Sequence, residues 1–116
     1  MNVNCQTANL IYAITCRHYS IQYVGQTENR LLDRFSGHMF DIKSNDQDTT
    51  VARHFRICPE PRTAQLRWDN GPNITILSFI KHPPKSFEGI LERNKEERLW
   101  MHRLCTITPK GLNLLD

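Results

Sequence analysis

Two strand-like runs joined by only four residues limit this chain more than any other feature. Asn9-Leu10-Ile11-Tyr12-Ala13-Ile14-Thr15-Cys16 and Ile21-Gln22-Tyr23-Val24-Gly25 are rich in β-branched and aromatic residues, with Arg17, His18, Tyr19 and Ser20 between them. So short a connection reads as a hairpin. If Cys16 pairs with Ile21, Tyr12 stands opposite Gly25, and Tyr23 lies diagonally across from Tyr12 on the same face. The two phenols then converge over a space that Gly25 leaves open. A slip of one residue would send them to opposite faces, so the loop length carries the inference.

Thr27 reads as an N-cap, and from Glu28 to about Lys43 the residues Leu31, Leu32, Phe35, Met39 and Ile42 recur at helical spacing. Arg34 and His38 are four apart and share the margin of that apolar stripe, where a cation can lay its stem on the core and present its head to a cleft. A snorkelling arginine and a surface histidine would give the same pattern. Ser44 to Thr50 reads as a loop, Val51 to Phe55 as a short helix, and Cys58 to Asn73, with Pro59, Pro61, Pro72 and an Asp69-Asn70-Gly71 turn, as irregular chain. Ile74 to Ile80 is apolar on both faces and is expected as a third, central strand, stopped by Pro83 and Pro84.

A last helix follows from Phe87 to Cys105. Phe87, Ile90, Leu91, Met101, Leu104 and Cys105 are expected on its buried side, and Glu97 falls inside that stripe, whereas Glu96 is expected on the charged face with Glu92 and Arg103. A carboxylate turned toward a core needs a cation, a metal or several donors, because leaving it unpaired costs several kcal/mol or neutralises it. Glu97 is therefore a candidate for chemistry, against the plain alternative of a pair with a nearby arginine. A Thr108-Pro109-Lys110-Gly111 turn and Leu112-Asn113-Leu114-Leu115 close the chain. The order β-β-α-(α)-β-α describes an α+β domain with a small three-stranded, mostly antiparallel sheet, one face of which is covered by helices. The 116 residues suit one domain over 9–116 after a polar leader at 1–8.

No apolar run is long enough to span a bilayer and the N-terminus lacks a secretory layout, so a soluble intracellular domain is expected, with no membrane partner. A net charge of +3 and a pI near 8.8 are too mild to argue for nucleic acid alone. Cys5, Cys16, Cys58 and Cys105 form no C-x-x-C pair and read as free thiols in a reducing compartment. A zinc alternative can be assembled from Cys5, Cys16 or His18, and His54 with Cys58.

Taken together, these pieces resemble a GIY-YIG endonuclease domain. Tyr12 in Leu10-Ile11-Tyr12 and Tyr23 in Tyr23-Val24-Gly25 match its two tyrosine signatures, Arg34 and His38 its R-x-x-x-H helix, Glu97 and Trp100 its E-x-x-W helix, and Asn113 its terminal asparagine. The similarity runs from Asn9 to Leu114. Gln22-Tyr23-Val24-Gly25-Gln26-Thr27, Val51-Ala52-Arg53-His54-Phe55 and Pro109-Lys110-Gly111-Leu112-Asn113-Leu114 resemble the versions in Penelope-like retroelements, where the domain accompanies a reverse transcriptase. Leu10 replaces the first family glycine. Tyr19 stands where those relatives carry a second cysteine, which weighs against zinc.

The resemblance implies a metal-dependent nuclease that cuts DNA at a retroelement's target site, in the nucleus, without a small-molecule cofactor. Glu97 would be the sole protein ligand of Mg²⁺ or Mn²⁺, and Arg34 would stabilise the phosphoryl oxygens. Tyr12 would be the general base, although a phenol of pKa about 10 needs perturbation or a bridging water to serve near neutrality. Tyr23 and His38 would orient water or relay protons, and Asn113 would hold the site by hydrogen bonds. Arg17, Arg30, Lys43, Arg53 and Lys110 are candidates for phosphate contact; Trp68 reads as core and rim. A catalytically silent nucleic-acid-binding module and a zinc-stabilised interaction domain are the alternatives.

Overall fold

The computed structural model describes residues 8–16, 20–43, 54, 73–108 and 110–113. Strands β1 (Ala8–Thr15), β2 (Gln22–Arg30) and β3 (Asn73–Phe79) form an open antiparallel sheet in the order β2-β1-β3, with helices α1 (Leu31–Lys43) and α2 (Phe87–Leu104). This is the α+β architecture expected. The loop at 44–50, most of the short helix at 51–55 and the irregular stretch before Asn73 lie outside the described residues. Neither helix is long and apolar enough to cross a membrane.

The hairpin register is the one its loop length implies. Cys16 N–H donates to the Ile21 carbonyl at 2.9 Å, Tyr12 faces Gly25, and Ile14 faces Tyr23. Pairing continues further than the sequence suggested. A bulge between Ala8 and Leu10 brings Ala8 opposite Arg30, so β2 absorbs the residues expected to open the helix. Thr27 is consequently a buried strand residue whose hydroxyl accepts the Asn29 N–H at 3.0 Å, not an N-cap, and α1 starts at Leu31.

The centre of the sheet is β1, not β3. Leu10 to Ile14 are all buried, whereas β3 pairs with β1 alone and leaves Phe79 38% exposed. A run apolar on both sides marks a strand covered on both faces, and that condition holds here at an edge. A bulge at Leu77 divides β3: Ile74 and Ile76 pack with Leu10, Tyr12, Ile14 and Leu31, while Leu77 joins Ile11, Val24, Ile80 and Met101. The first cluster lies under α1 and the second under α2. Alternate residues of β1 feed opposite clusters, so the helices cover opposite faces of the sheet, and the expectation of one covered face is corrected. Five consecutive apolar residues in β1 require cover on both sides.

Ser86 caps α2, accepting the Gly89 N–H at 3.0 Å, and Cys105 ends it in the left-handed conformation at φ 55°. Its buried side differs from the expected stripe. Phe87 is 72% exposed and Leu91 52%, with Ile90 and Cys105 also outward, while Gly89, Arg93 and Met101 are buried. Close approach sets this rotation: a Cβ at Gly89 would lie 2.1 Å from the Pro83 carbonyl oxygen. Glu97 belongs to the same i, i+4 row and is half-buried, so its inward setting holds although most of the apolar neighbours assigned to it face solvent. Glu96 and Glu92 do not sit on a free charged face. The Ser78 hydroxyl donates to Glu96 at 3.4 Å, and Glu92 accepts the Lys81 and His82 N–H groups at 3.2 Å.

Candidate active site

On the α1 side of the sheet the two tyrosines and the helix residues meet. The Tyr12 hydroxyl lies 2.8 Å from His38 Nε2, and Arg34 Nε donates to it at 3.1 Å. Arg34 also lies close enough to Tyr23 to act on its phenol. The His38 ring stands edge-on to both tyrosines, with centroids 6.0 Å from Tyr12 and 5.7 Å from Tyr23. One helical turn separates Arg34 from His38, which is why one guanidinium and one imidazole can reach the same phenols. Arg34 is half-buried at the margin of the stripe as expected; His38 is fully inside it, 4% exposed.

Gly25 makes the arrangement possible. A Cβ there would sit 2.5 Å from Tyr12 Cζ and Oη and 2.9 Å from Tyr23 Cε2. Any side chain would displace one ring or the other.

Burial pushes the Tyr12 phenol well above its ordinary value, the nearby Tyr23 adds to this, Arg34 opposes it, and the Glu97 charge raises it further. Tyr23 is raised in the same way, by burial against Arg34 and with Glu97 adding. Glu97 is therefore close enough to act on both phenols. Burial lowers the His38 pKa to about 3, with Arg34 contributing, so the ring is neutral at physiological pH. For Arg34, burial works against the charge, but the two phenols outweigh it and keep the guanidinium protonated.

Arg93 stands one turn before Glu97 on the same row of α2. That guanidinium is committed to β1 and β2: Nε donates to Gln26 at 3.1 Å, and one terminal nitrogen donates to Asn9 at 3.0 Å and to the Pro84 carbonyl at 2.7 Å, with Glu28 at 3.9 Å. Gln26 also donates to Asn94 at 2.9 Å. This polar layer seats α2 on the sheet, and sequence reasoning missed it. The available signal was Arg93 standing four residues before Glu97, in a row with Gly89.

Asn113 closes the other side. Its amide accepts the Val24 N–H and donates to the Val24 carbonyl, both at 2.8 Å, and Leu112 N–H donates to Gln22 at 2.8 Å. Val24 lies between Tyr23 and Gly25, so the asparagine fixes the outer edge of the strand that carries both. Trp100 donates to Ser78 at 2.8 Å and lies under Arg103, which ties the E-x-x-W turn to β3.

Among the described residues no three His, Cys, Asp or Glu side chains form a group that could cage a metal. A single half-buried carboxylate suits a hard cation that keeps most of its waters. Cys16 is buried and forms no disulfide among the described residues, and Cys5, His18 and Cys58 lie outside them. Of the phosphate-contact candidates, Arg30 is exposed and paired with Asp33, and Lys110 is exposed; Arg17, Arg53, Trp68 and the Lys43 side chain lie outside the described residues. Compared with known proteins, the chain matches no protein-family model, no curated protein and no solved structure.

Proposed function

We propose that this chain is a divalent-metal-dependent DNA endonuclease domain of GIY-YIG type. The observation that carries the reading is the meeting of Tyr12, Tyr23, Arg34 and His38 in one pocket whose phenols feel the Glu97 charge. These residues come from β1, β2, α1 and α2, and each occupies the motif position that the resemblance names.

Phosphodiester hydrolysis needs neutralisation of the charge gathering at phosphorus, an oriented water and help for the departing oxygen. Arg34 supplies a permanently charged donor fork, held by the Tyr12 hydroxyl before any substrate arrives. Glu97 would hold Mg²⁺ or Mn²⁺, which when bound polarises a phosphate oxygen and lowers the pKa of a coordinated water. Tyr23 is half-buried and offers a hydroxyl, and Asn113 braces the neighbouring Val24 of β2. Lys110 and Arg30 are exposed cations suited to phosphates outside the scissile step. By the Penelope-like resemblance, the domain would serve target-site cleavage beside a reverse transcriptase, in the nucleus.

One observation favours the binding-only alternative. Both phenols are raised and His38 is lowered, so these groups do not titrate near neutrality in the pocket by themselves. Plasmid nicking with Mg²⁺ or Mn²⁺, run beside Glu97→Ala and Arg34→Ala, separates the two. Cleavage lost in both variants supports the nuclease. Equal cleavage by Glu97→Ala and the parent removes the mechanism, and DNA binding without cleavage by any form favours the silent module.

A further inference from the structure

The two phenols are not equivalent. Tyr12 is 0% exposed, whereas Tyr23, Arg34 and Glu97 are half-buried. The Tyr12 hydroxyl is also fully engaged. Arg34 Nε can only donate, so the Tyr12 oxygen accepts that bond. The hydroxyl proton then needs an acceptor, and His38 Nε2 at 2.8 Å is the one it meets. With the opposite polarity, Nε2–H donating to Tyr12, both the Tyr12 proton and a bare Nδ1 would be left without partners. Nδ1 has no partner among the described residues, so the first arrangement leaves one buried polar group unpaired and the second leaves two. The ring is neutral, and the single proton it carries is therefore on Nδ1.

We propose that the phenols divide the work: Tyr23 touches the phosphodiester substrate, while Tyr12 and an Nδ1-protonated His38 form a positioning pair that aims Arg34 from behind. This assignment rests on the nuclease reading and reverses the expectation that Tyr12 is the general base. A sealed hydroxyl with its proton given to an imidazole and its lone pair to a guanidinium has no room for a water or a phosphate oxygen. Tyr23 lies near the same guanidinium and keeps open surface.

The chain has three tyrosines, Tyr12, Tyr19 and Tyr23, so meta-fluorotyrosine labelling of the full chain gives three fluorine resonances, assignable with single Tyr→Phe variants. The probes are a soluble gadolinium chelate and a short DNA duplex with Ca²⁺ replacing Mg²⁺. The Tyr23 resonance should broaden with the chelate and shift with the duplex, while the Tyr12 resonance does neither. Nitrogen NMR should find His38 protonated at Nδ1 and bare at Nε2. A purely structural Tyr12 predicts no Arg34 effect, whereas here Tyr12→Phe should free the Arg34 Nε–H to exchange rapidly with water. A Tyr12 resonance that moves with the duplex as far as Tyr23, or a His38 proton on Nε2, overturns the assignment. If neither resonance moves at saturating duplex, the nuclease reading itself fails and the substrate contact fails with it.

Discussion

Gly25→Ala is the most direct test of the pocket. The new methyl would arrive 2.5 Å from Tyr12 Cζ and Oη, about 1 Å inside ordinary contact distance, and 2.9 Å from Tyr23 Cε2. Tyr12 cannot swing aside, because it is fully buried and held by both Arg34 and His38. Overpacking of this kind costs about 1–3 kcal/mol, and with both rings obstructed the upper half of that range is expected. At a urea m-value of roughly 1.5 kcal/mol per M, a loss of about 2 kcal/mol moves the unfolding midpoint down by about 1.3 M. In a Tyr12→Leu background the ring atoms are gone, so the same glycine change should cost less, and the difference is the coupling energy between the two positions. A Gly25→Ala protein within about 0.5 kcal/mol of the parent, or an equal cost in both backgrounds, would refute the argument that the glycine exists to admit the phenols.

Asn113→Ala leaves the buried N–H and carbonyl of Val24 unpaired and should lower stability by about 2–4 kcal/mol in urea titration, with Asn113→Asp no milder, since a carboxylate cannot donate to the carbonyl. The folded pKa of His38 lies below its unfolded 6.5, so its contribution is present above 6.5 and is lost as pH falls toward about 3. Between pH 7 and 5 the parent should therefore lose about 2 kcal/mol more than His38→Gln, measured as paired unfolding midpoints. Because the Glu97 charge raises both phenols, Glu97→Gln should move phenolate absorbance to lower pH, and an unchanged titration would mean that the carboxylate is remote from them. Arg34→Lys keeps the charge but not the planar fork that the Tyr12 hydroxyl holds in place, and nicking should fall about 100-fold.

The hairpin was legible because a four-residue connection fixes register, and register fixes which side chains share a face. That alone places Tyr12, Tyr23 and Gly25 together, as the observed register does. Arg34 and His38 were legible from helical spacing even though the helix begins three residues later than its first turn suggested, since periodicity survives a shifted start. The centre of the sheet was not legible. A run such as Ile74 to Ile80 reports burial on two faces, and in a sheet covered on both sides an edge strand has that property too. The rotation of α2 was hidden for another reason. Its inner row is chosen by backbone contact at Gly89 and by the hydrogen bonds of Arg93, and a hydrophobicity pattern counts neither.

The amide of Asn113 meets Val24 across 89 positions of chain. A contact between residues so far apart in the chain closes a large loop, and contacts of this kind slow folding. A chain cut before this residue therefore carries Tyr12, Tyr23, Arg34, His38 and Glu97 but lacks the brace on the strand between the two tyrosines. Competence of the pocket therefore depends on a side chain that does none of its chemistry, and copies cut before it should be inert even where they are partly folded.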